Sequence, residues 1–233
     1  MDIVTPQQTG SNSRSKTSDL FVSIVGLIYR QSKEKMEDDD SKNSGIKEYD
    51  NFCTTYEQVL GEEDWQSPYV CAETVGTYIT DNRDKVEILD LGVGTGLVGK
   101  RLHELGFRIF DGIDPSQGML TLAKQKQIYR NLYCQFFTSE PTKIKESSYD
   151  AICISGAFGK GDIPEDSVYE MIRLGKPGCI LCFVGRTVAF ELLLPLLETL
   201  EKNKQLKKEE ITETQKYRKD TPALIIVYRI IKD

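Results

Sequence analysis

Closely spaced glycines between two acidic residues dominate the chemistry that this sequence can offer. Four glycines at positions 92 to 99 follow an apolar run, 86–91, that contains Asp90, and a second acid, Asp114, lies 20 residues beyond Gly94. Because glycine has no Cβ, a ligand can lie directly against its backbone, and free amides at the start of a following helix can bind polar groups. The stretch therefore predicts a loop that holds a cofactor.

The residues around the glycines predict the elements that position this loop. The run 86–91 is typical of a buried parallel strand, and 97–105 has apolar residues at helical spacing with Gly106 as a stop. The segment 107–114 predicts a second strand that ends in Asp114. A short acid at the carboxyl end of the strand beside such a loop can accept both hydroxyls of a ribose.

Two cofactor classes fit the glycine spacing. Residues 94–99 match the G-x-G-x-x-G pattern of dinucleotide-binding loops, with Asp114 where that pattern expects a ribose-binding acid. The frame Asp90-x-Gly92-x-Gly94-x-Gly96 also fits and adds a carboxylate at the end of the strand. A carboxylate favours a cationic ligand over a pyrophosphate, because like charges repel at short range. A cationic cofactor is therefore favoured, and nicotinamide-dependent oxidoreduction is the alternative.

The second frame resembles the first motif of the class I S-adenosylmethionine-dependent methyltransferases. In that family the glycines face the methionine end of the cofactor and the acid helps to hold its ammonium group, a role that the resemblance implies for Asp90. Residues 114–123 repeat in register the family's phrase Asp-x-Ser-x-x-Met-Leu-x-x-Ala. Within the family, residues 94–98, 114–120 and 154–157 are most similar to the methyltransferase-like proteins of the Williams–Beuren syndrome region. The resemblance implies S-adenosyl-L-methionine as cofactor and methyl transfer as activity.

The resemblance also implies which residues contact the cofactor. Many small-molecule methyltransferases of this class carry a Tyr-Asp…Tyr helix that folds over the cofactor, and Tyr49 and Tyr56 match it. Met119 is expected on the adenine face and Glu140 near the adenine amine, although core packing is the alternative for Met119 and the tyrosines. The carboxyl end of the fourth strand, 155–158, is expected to face the reacting methyl group. The expected cofactor-binding residues are Tyr49, Tyr56, Asp90, Gly92, Val93, Gly94, Thr95, Gly96, Asp114, Pro115, Met119, Ser139, Glu140, Ser155 and Gly156.

Catalytic groups and the acceptor are less clearly indicated. Transfer from a sulfonium is an in-line displacement with a neutral leaving group, so alignment and water exclusion can supply much of the acceleration and a base is optional. Tyr49, Tyr56 and Asp162 are candidate bases, and their spacing singles out none of them. The fourth strand lacks a following Asp/Asn-Pro-Pro-Tyr/Phe sequence, which disfavours adenine or glutamine acceptors. Arg186 and Thr187 are candidates for acceptor contacts.

The rest of the chain predicts the sheet and its helices. Further strands are expected at 131–137, 149–158 and 179–184, and further helices from Ile46 to Leu60, at 67–80, 115–124, 166–174 and 189–200. The segments 211–218 and 223–231 predict a closing antiparallel hairpin, after a charged stretch at 201–210. We therefore expect an α/β fold, a doubly wound Rossmann-like seven-stranded sheet that is mostly parallel with a C-terminal antiparallel hairpin.

Length and composition set the domain organisation. A chain of 233 residues with 39% hydrophobic content can bury one α/β core, expected over 46–233. Residues 1–45 predict a disordered leader, a short apolar helix at 20–29 and an acidic linker. That apolar run is well below the roughly 20 residues that span a bilayer, so no membrane span is expected. A non-catalytic cofactor-binding protein that docks partners through this segment is the alternative function.

Charge and cysteine content bear on partners and compartment. A formal net charge of −6 disfavours a broad electrostatic surface for nucleic acid, so a small molecule or a protein is the expected acceptor. Six cysteines without an evident secretory signal predict reduced thiols in the cytoplasm. Cys179 and Cys182 lie on a predicted strand, where residues three apart point to opposite faces, so no metal site is expected. His103, the single histidine, is expected on the polar side of a helix, and the oligomeric state is left open.

Overall fold

The computed structural model describes residues 39–62, 64–158, 163–217 and 221–232, with only the backbone described for 39–45, 48 and 62. The expected leader, the apolar run at 20–29 and the candidate base Asp162 lie outside the described residues. No helix within the described ranges is long and apolar enough to cross a membrane.

Seven strands and six α-helices alternate along most of the described chain. The strands are β1 (Glu87–Leu91), β2 (Ile109–Asp114), β3 (Tyr129–Cys134), β4 (Tyr149–Ser155), β5 (Gly175–Arg186), β6 (Leu206–Thr214) and β7 (Ala223–Ile230). The α-helices are α1 (Asp39–Glu62), α2 (Ser67–Tyr78), α3 (Leu97–Glu104), α4 (Gln117–Gln125), α5 (Val168–Leu174) and α6 (Leu193–Lys202). Short 3₁₀ helices precede α5 at Glu165–Ser167 and follow β5 at Thr187–Phe190.

All seven strands form one sheet with the order β3-β2-β1-β4-β5-β7-β6. The pairs from β3 through β5 are parallel, whereas β7 pairs antiparallel with both β5 and β6. The chain moves outward from β1 to β3 and then returns to place β4 on the other side of β1. This reversal makes a crevice at the carboxyl ends of β1 and β4, the usual ligand position in such sheets. The expected doubly wound sheet with a C-terminal hairpin is confirmed.

Helices cover both faces of the sheet, which explains the nearly continuous apolar sequence of the central strands. Along β1, Leu89 and Leu91 belong to the buried cluster that includes α5 and α6. The preceding residue, Ile88, belongs to the cluster that includes α2 and α3. Asp90 lies on that second side and is only 1% exposed. The strand therefore buries a carboxyl group among apolar side chains.

Several sequence-based boundaries are wrong. Helix α1 begins at Asp39, inside the stretch expected to be a linker. Strand β5 begins at Gly175, before the expected start at residue 179, with irregular pairing to β4 between Tyr149 and Ala151. Strand β6 begins at Leu206, because the charged residues at 207–210 lie on the edge of the sheet and not in a trailing loop. Charged side chains are common on edge strands, where they discourage pairing with other chains.

The helix expected at 189–200 also starts later than expected. Residues 187–190 form the short 3₁₀ helix, and α6 begins at Leu193. Pro195 then lies in the first turn of α6, where the missing N–H of proline removes no intrahelical hydrogen bond.

Candidate cofactor site

The glycine loop joins β1 to α3 at the crevice between β1 and β4. Gly92 has a φ of +68°, and an ideal Cβ there would lie 2.2 Å from the Cβ of Ala157, just beyond β4. Gly94 has a φ of +54°, and a Cβ there would meet only the carbonyl oxygen of Gly92, 4.0 Å away. Gly92 therefore permits close packing of two strand ends, whereas Gly94 leaves backbone open to a ligand.

Asp114 ties this loop to the end of β2. Its Oδ2 accepts a hydrogen bond from the Gly94 amide at 2.8 Å, and its Oδ1 accepts one from the Ser116 amide at 2.9 Å. Burial raises the pKa of Asp114 and nearby Asp50 adds to the rise, while the two amide bonds oppose it. Each carboxylate oxygen has a second lone pair, so Asp114 can still accept bonds from ligand hydroxyls.

A residue that the sequence analysis did not select, Asp50, fixes α1 over the start of α4. Its Oδ1 accepts hydrogen bonds from the Ser116 hydroxyl at 2.6 Å and from the Gly118 amide at 2.8 Å. The Ser116 hydroxyl in turn accepts a bond from the Met119 amide and caps α4. Asp50 is the middle residue of the Tyr-Asp…Tyr phrase, which was the available signal. The helix that carries Tyr49 and Tyr56 is thereby fixed next to Asp114.

Asp90 lies near the end of β1, beside the start of α3. Its Oδ2 accepts a 2.8 Å hydrogen bond from the Tyr129 hydroxyl. Burial raises the pKa of Asp90 to about 7, with a further rise from Asp114, and the Tyr129 bond opposes this. The Tyr129 hydroxyl also fills the space beside Gly99, where a Cβ would lie 2.2 Å from it. The third glycine of the dinucleotide pattern, Gly99, is therefore explained by packing, and the ammonium-binding role of Asp90 stays a prediction.

At the end of β4, residues distant in sequence meet. The hydroxyls of Ser155 and Ser67 are 2.8 Å apart. A Cβ at Gly156 would lie 2.8 Å from Cζ2 of Trp65 and 3.4 Å from the Tyr217 hydroxyl. The two aromatic rings have centroids 5.7 Å apart. Trp65 precedes α2 and Tyr217 follows β6, so no local sequence pattern could have brought them together.

The remaining predicted contact residues differ in burial and in their contacts. Met119 is buried at the start of α4. Val93 packs with Leu120 and Ala123 of the same helix. Ser139 donates a 2.8 Å hydrogen bond to Asp166. Thr95 is buried. Glu140 is exposed, and its backbone amide donates a hydrogen bond to the Thr138 hydroxyl. The other two predicted contact residues are Gly96 and Pro115.

Other sequence-based expectations concern groups outside the crevice. His103 is exposed on α3, as expected. Cys179 and Cys182 lie in clusters on opposite sides of the sheet. Within the described part of the chain, no group of three or more His, Cys, Asp or Glu side chains could hold a metal ion.

Part of this chain is similar to the methyltransferase domains of known proteins. Residues 88–178 match the family described as a methyltransferase domain. The TehB-like S-adenosylmethionine-dependent methyltransferase of Corynebacterium glutamicum aligns over 78% of this chain and 97% of its own, with a TM-score of 0.58 and 17% identity. An S-adenosylmethionine-dependent methyltransferase of Aquifex aeolicus aligns over 72% and 92%, with a TM-score of 0.55 and 16% identity. At these identities the two structures show a shared fold.

Among curated proteins, human methyltransferase-like protein 27 is 30% identical over 139 residues, which are 60% of this chain and 56% of the relative. This match confirms the resemblance to methyltransferase-like proteins. The chain spans about half the length of the curated relatives it matches.

The crevice fits the cofactor of this class by its chemistry. Gly94 offers open backbone, and Asp114 offers acceptor oxygens next to it. Two buried polar atoms at the crevice, Oγ1 of Thr95 and Nε1 of Trp65, have no hydrogen-bond partner of normal geometry among the described residues. A polar ligand at the end of the sheet would supply such partners.

Proposed function

We propose that this protein transfers a methyl group from S-adenosylmethionine to a small-molecule or protein acceptor. The observation that carries the proposal is the position of the Asp114 carboxylate. It accepts a hydrogen bond from the Gly94 amide, where the loop backbone is open. In this proposal the Asp114 oxygens accept the ribose hydroxyls next to a surface without side chains. It combines with the family match at residues 88–178.

Each part of the crevice has a role in this proposal. The open backbone at Gly94 lies against the methionine end of the cofactor, and Asp114 accepts the ribose hydroxyls. Met119 packs on the adenine, with Ser139 and Glu140 toward its amine. Buried Asp90 supplies negative charge near the ammonium group when it is ionised.

The chain's own contribution to the reaction is alignment and exclusion of water. When bound, S-adenosylmethionine supplies a methyl group activated by the positive sulfur. Helix α1, fixed by Asp50 over the start of α4, covers the ribose end of the crevice. A covered, pre-shaped crevice holds two reactants in line and keeps water away from the methyl group.

The acceptor is proposed to enter at the carboxyl ends of β4 and β5. Gly156 lies at this place, and Arg186 and Thr187 follow directly after β5. The net charge of −6 favours a small molecule or protein over a nucleic acid. Incubation with labelled S-adenosylmethionine and fractionated cell extract, followed by identification of the labelled product, tests this part of the proposal.

Calorimetric titration with S-adenosylhomocysteine tests the cofactor assignment. Asp114→Ala should reduce binding below detection, because it removes the ribose acceptor and leaves the Gly94 and Ser116 amides unpaired. Gly94→Asp should do the same by filling the open backbone with a charged side chain. The control Asp81→Ala changes an acid of an exposed turn and should bind like wild type.

Thermal melting of each variant separates lost binding from lost folding. Wild-type affinity in a folded Asp114→Ala variant would contradict the assignment. Stabilisation of wild type by NAD in place of S-adenosylhomocysteine would favour oxidoreduction instead.

A further inference from the structure

Trp65 carries a buried hydrogen-bond donor that has no partner in the described part of the chain. Its Nε1 is shielded from solvent, and no acceptor for it lies among the described residues. Buried N–H groups without a partner are unfavourable and rare, so each one calls for an explanation. An acceptor that arrives with a ligand is one such explanation, because the group then becomes satisfied in the loaded protein.

The indole is held at the crevice from several directions. Its ring meets the space above Gly156, at the carboxyl end of β4. The Tyr217 ring packs against it, and the Gln66 amide donates a 3.0 Å hydrogen bond to the Tyr217 carbonyl. Ser67, two residues after Trp65, is hydrogen-bonded to Ser155 of β4. The donor is therefore positioned by the fold before any ligand binds.

The charged side chains on β1 and β2 at their carboxyl ends are acidic. Asp90 lies near the end of β1, Asp114 ends β2, and Asp50 lies across the start of α4. Acids suit an ammonium, a sulfonium and ribose hydroxyls. They do not suit a carboxylate, which the methionine end of S-adenosylmethionine also carries. A neutral N–H donor at the β4 end supplies what that carboxylate needs.

We propose that the Trp65 Nε1–H donates a hydrogen bond to the carboxylate of the cofactor's methionine end. Trp65 then selects a cofactor that retains its amino-acid carboxylate. This inference rests on the proposed function, because it assumes that S-adenosylmethionine occupies the crevice.

Paired ligands isolate this bond. Wild type and Trp65→Phe are titrated calorimetrically with S-adenosylmethionine and with decarboxylated S-adenosylmethionine, which lacks only the carboxylate. Trp65→Phe should weaken binding of the intact cofactor by about 10-fold to 100-fold, the range for a hydrogen bond to a charged group. It should change binding of the decarboxylated cofactor by less than about twofold, since general loss of packing affects both ligands equally.

A second variant preserves the shape of the ring. Replacement of Trp65 by benzothienylalanine substitutes sulfur for the N–H and should give the same ligand-selective loss, even if Trp65→Phe fails to fold. Trp65 is the only tryptophan in the chain, so its fluorescence reports directly on the site. The emission of wild type should change more with the intact cofactor than with the decarboxylated one.

The outcomes separate the two proposals. Equal losses for both ligands, or no loss for either, would overturn the role of Trp65 while leaving the cofactor assignment intact. Absence of any binding to folded wild type would overturn both.

Discussion

Replacing Asp90 by Asn should change how the stability of this protein depends on pH. Asp90 is 1% exposed, and its pKa is raised from an ordinary 3.8 to about 7, chiefly by burial. The groups that face it are the Tyr129 hydroxyl, Asp114, the Cys153 thiol and the Gly99 amide. Asn keeps an acceptor oxygen for Tyr129 but cannot ionise.

The expected magnitude follows from the difference between the two pKa values. At about 1.4 kcal/mol for each pH unit, ionising Asp90 costs about 4 kcal/mol more in the folded protein than in the unfolded chain. Between about pH 4 and 7, folded Asp90 keeps a proton that the unfolded chain has released. The free energy of unfolding that this group contributes is therefore fully present below pH 4 and is lost as the pH rises through 7.

Urea unfolding of wild type and Asp90→Asn at intervals from pH 4 to pH 8 measures this difference. The free energy of unfolding of Asp90→Asn should rise relative to wild type across the window, by up to about 4 kcal/mol at pH 8. Asp81→Asn, on an exposed turn, should show a nearly constant difference from wild type. A constant difference for Asp90→Asn as well would refute the buried, proton-binding state of Asp90.

Two further substitutions test contacts of the crevice. Asp50→Ala removes the acceptor for the Ser116 hydroxyl and should lower the free energy of unfolding by about 1 kcal/mol, as for a lost helix cap. Backbone amides of α1 should then exchange hydrogen faster than in wild type. Unchanged exchange in α1 would contradict the role of Asp50. In urea unfolding, Gly92→Ala should lower the free energy of unfolding by at least about 2 kcal/mol, because position 92 has a positive φ and the new Cβ would clash with Ala157. The control is Gly61→Ala, where the new Cβ would enter open space, and its free energy of unfolding should equal or exceed that of wild type.

Local sequence signals predicted the parts of the crevice that lie on consecutive elements. The glycines after β1 and the acid that ends β2 belong to one strand-loop-helix-strand unit, so spacing alone brought Gly94 and Asp114 together. Apolar strands between helical segments likewise indicated a parallel sheet. Strand β6 was placed too late, because charges at 207–210 also occur in loops.

The contacts that sequence reasoning missed connect distant segments. Tyr129, at the start of β3, reaches Asp90 on β1, two strands away in the sheet. Trp65 and Tyr217, whose rings are in contact, are more than 150 residues apart in the sequence. Such pairings depend on how helices and loops pack over the finished sheet, and no periodicity or motif encodes them.

Tyr217 has a consequence for how the protein matures. It follows β6 and packs at the end of β4, so the crevice is completed by a segment that comes after the parallel strands in the chain. A nascent chain that has emerged only through β5 already contains the glycine loop and both of its acids, but it lacks this aromatic ring. We therefore expect the nascent chain to recognise the cofactor only after β6 and β7 have been synthesised and have joined the sheet.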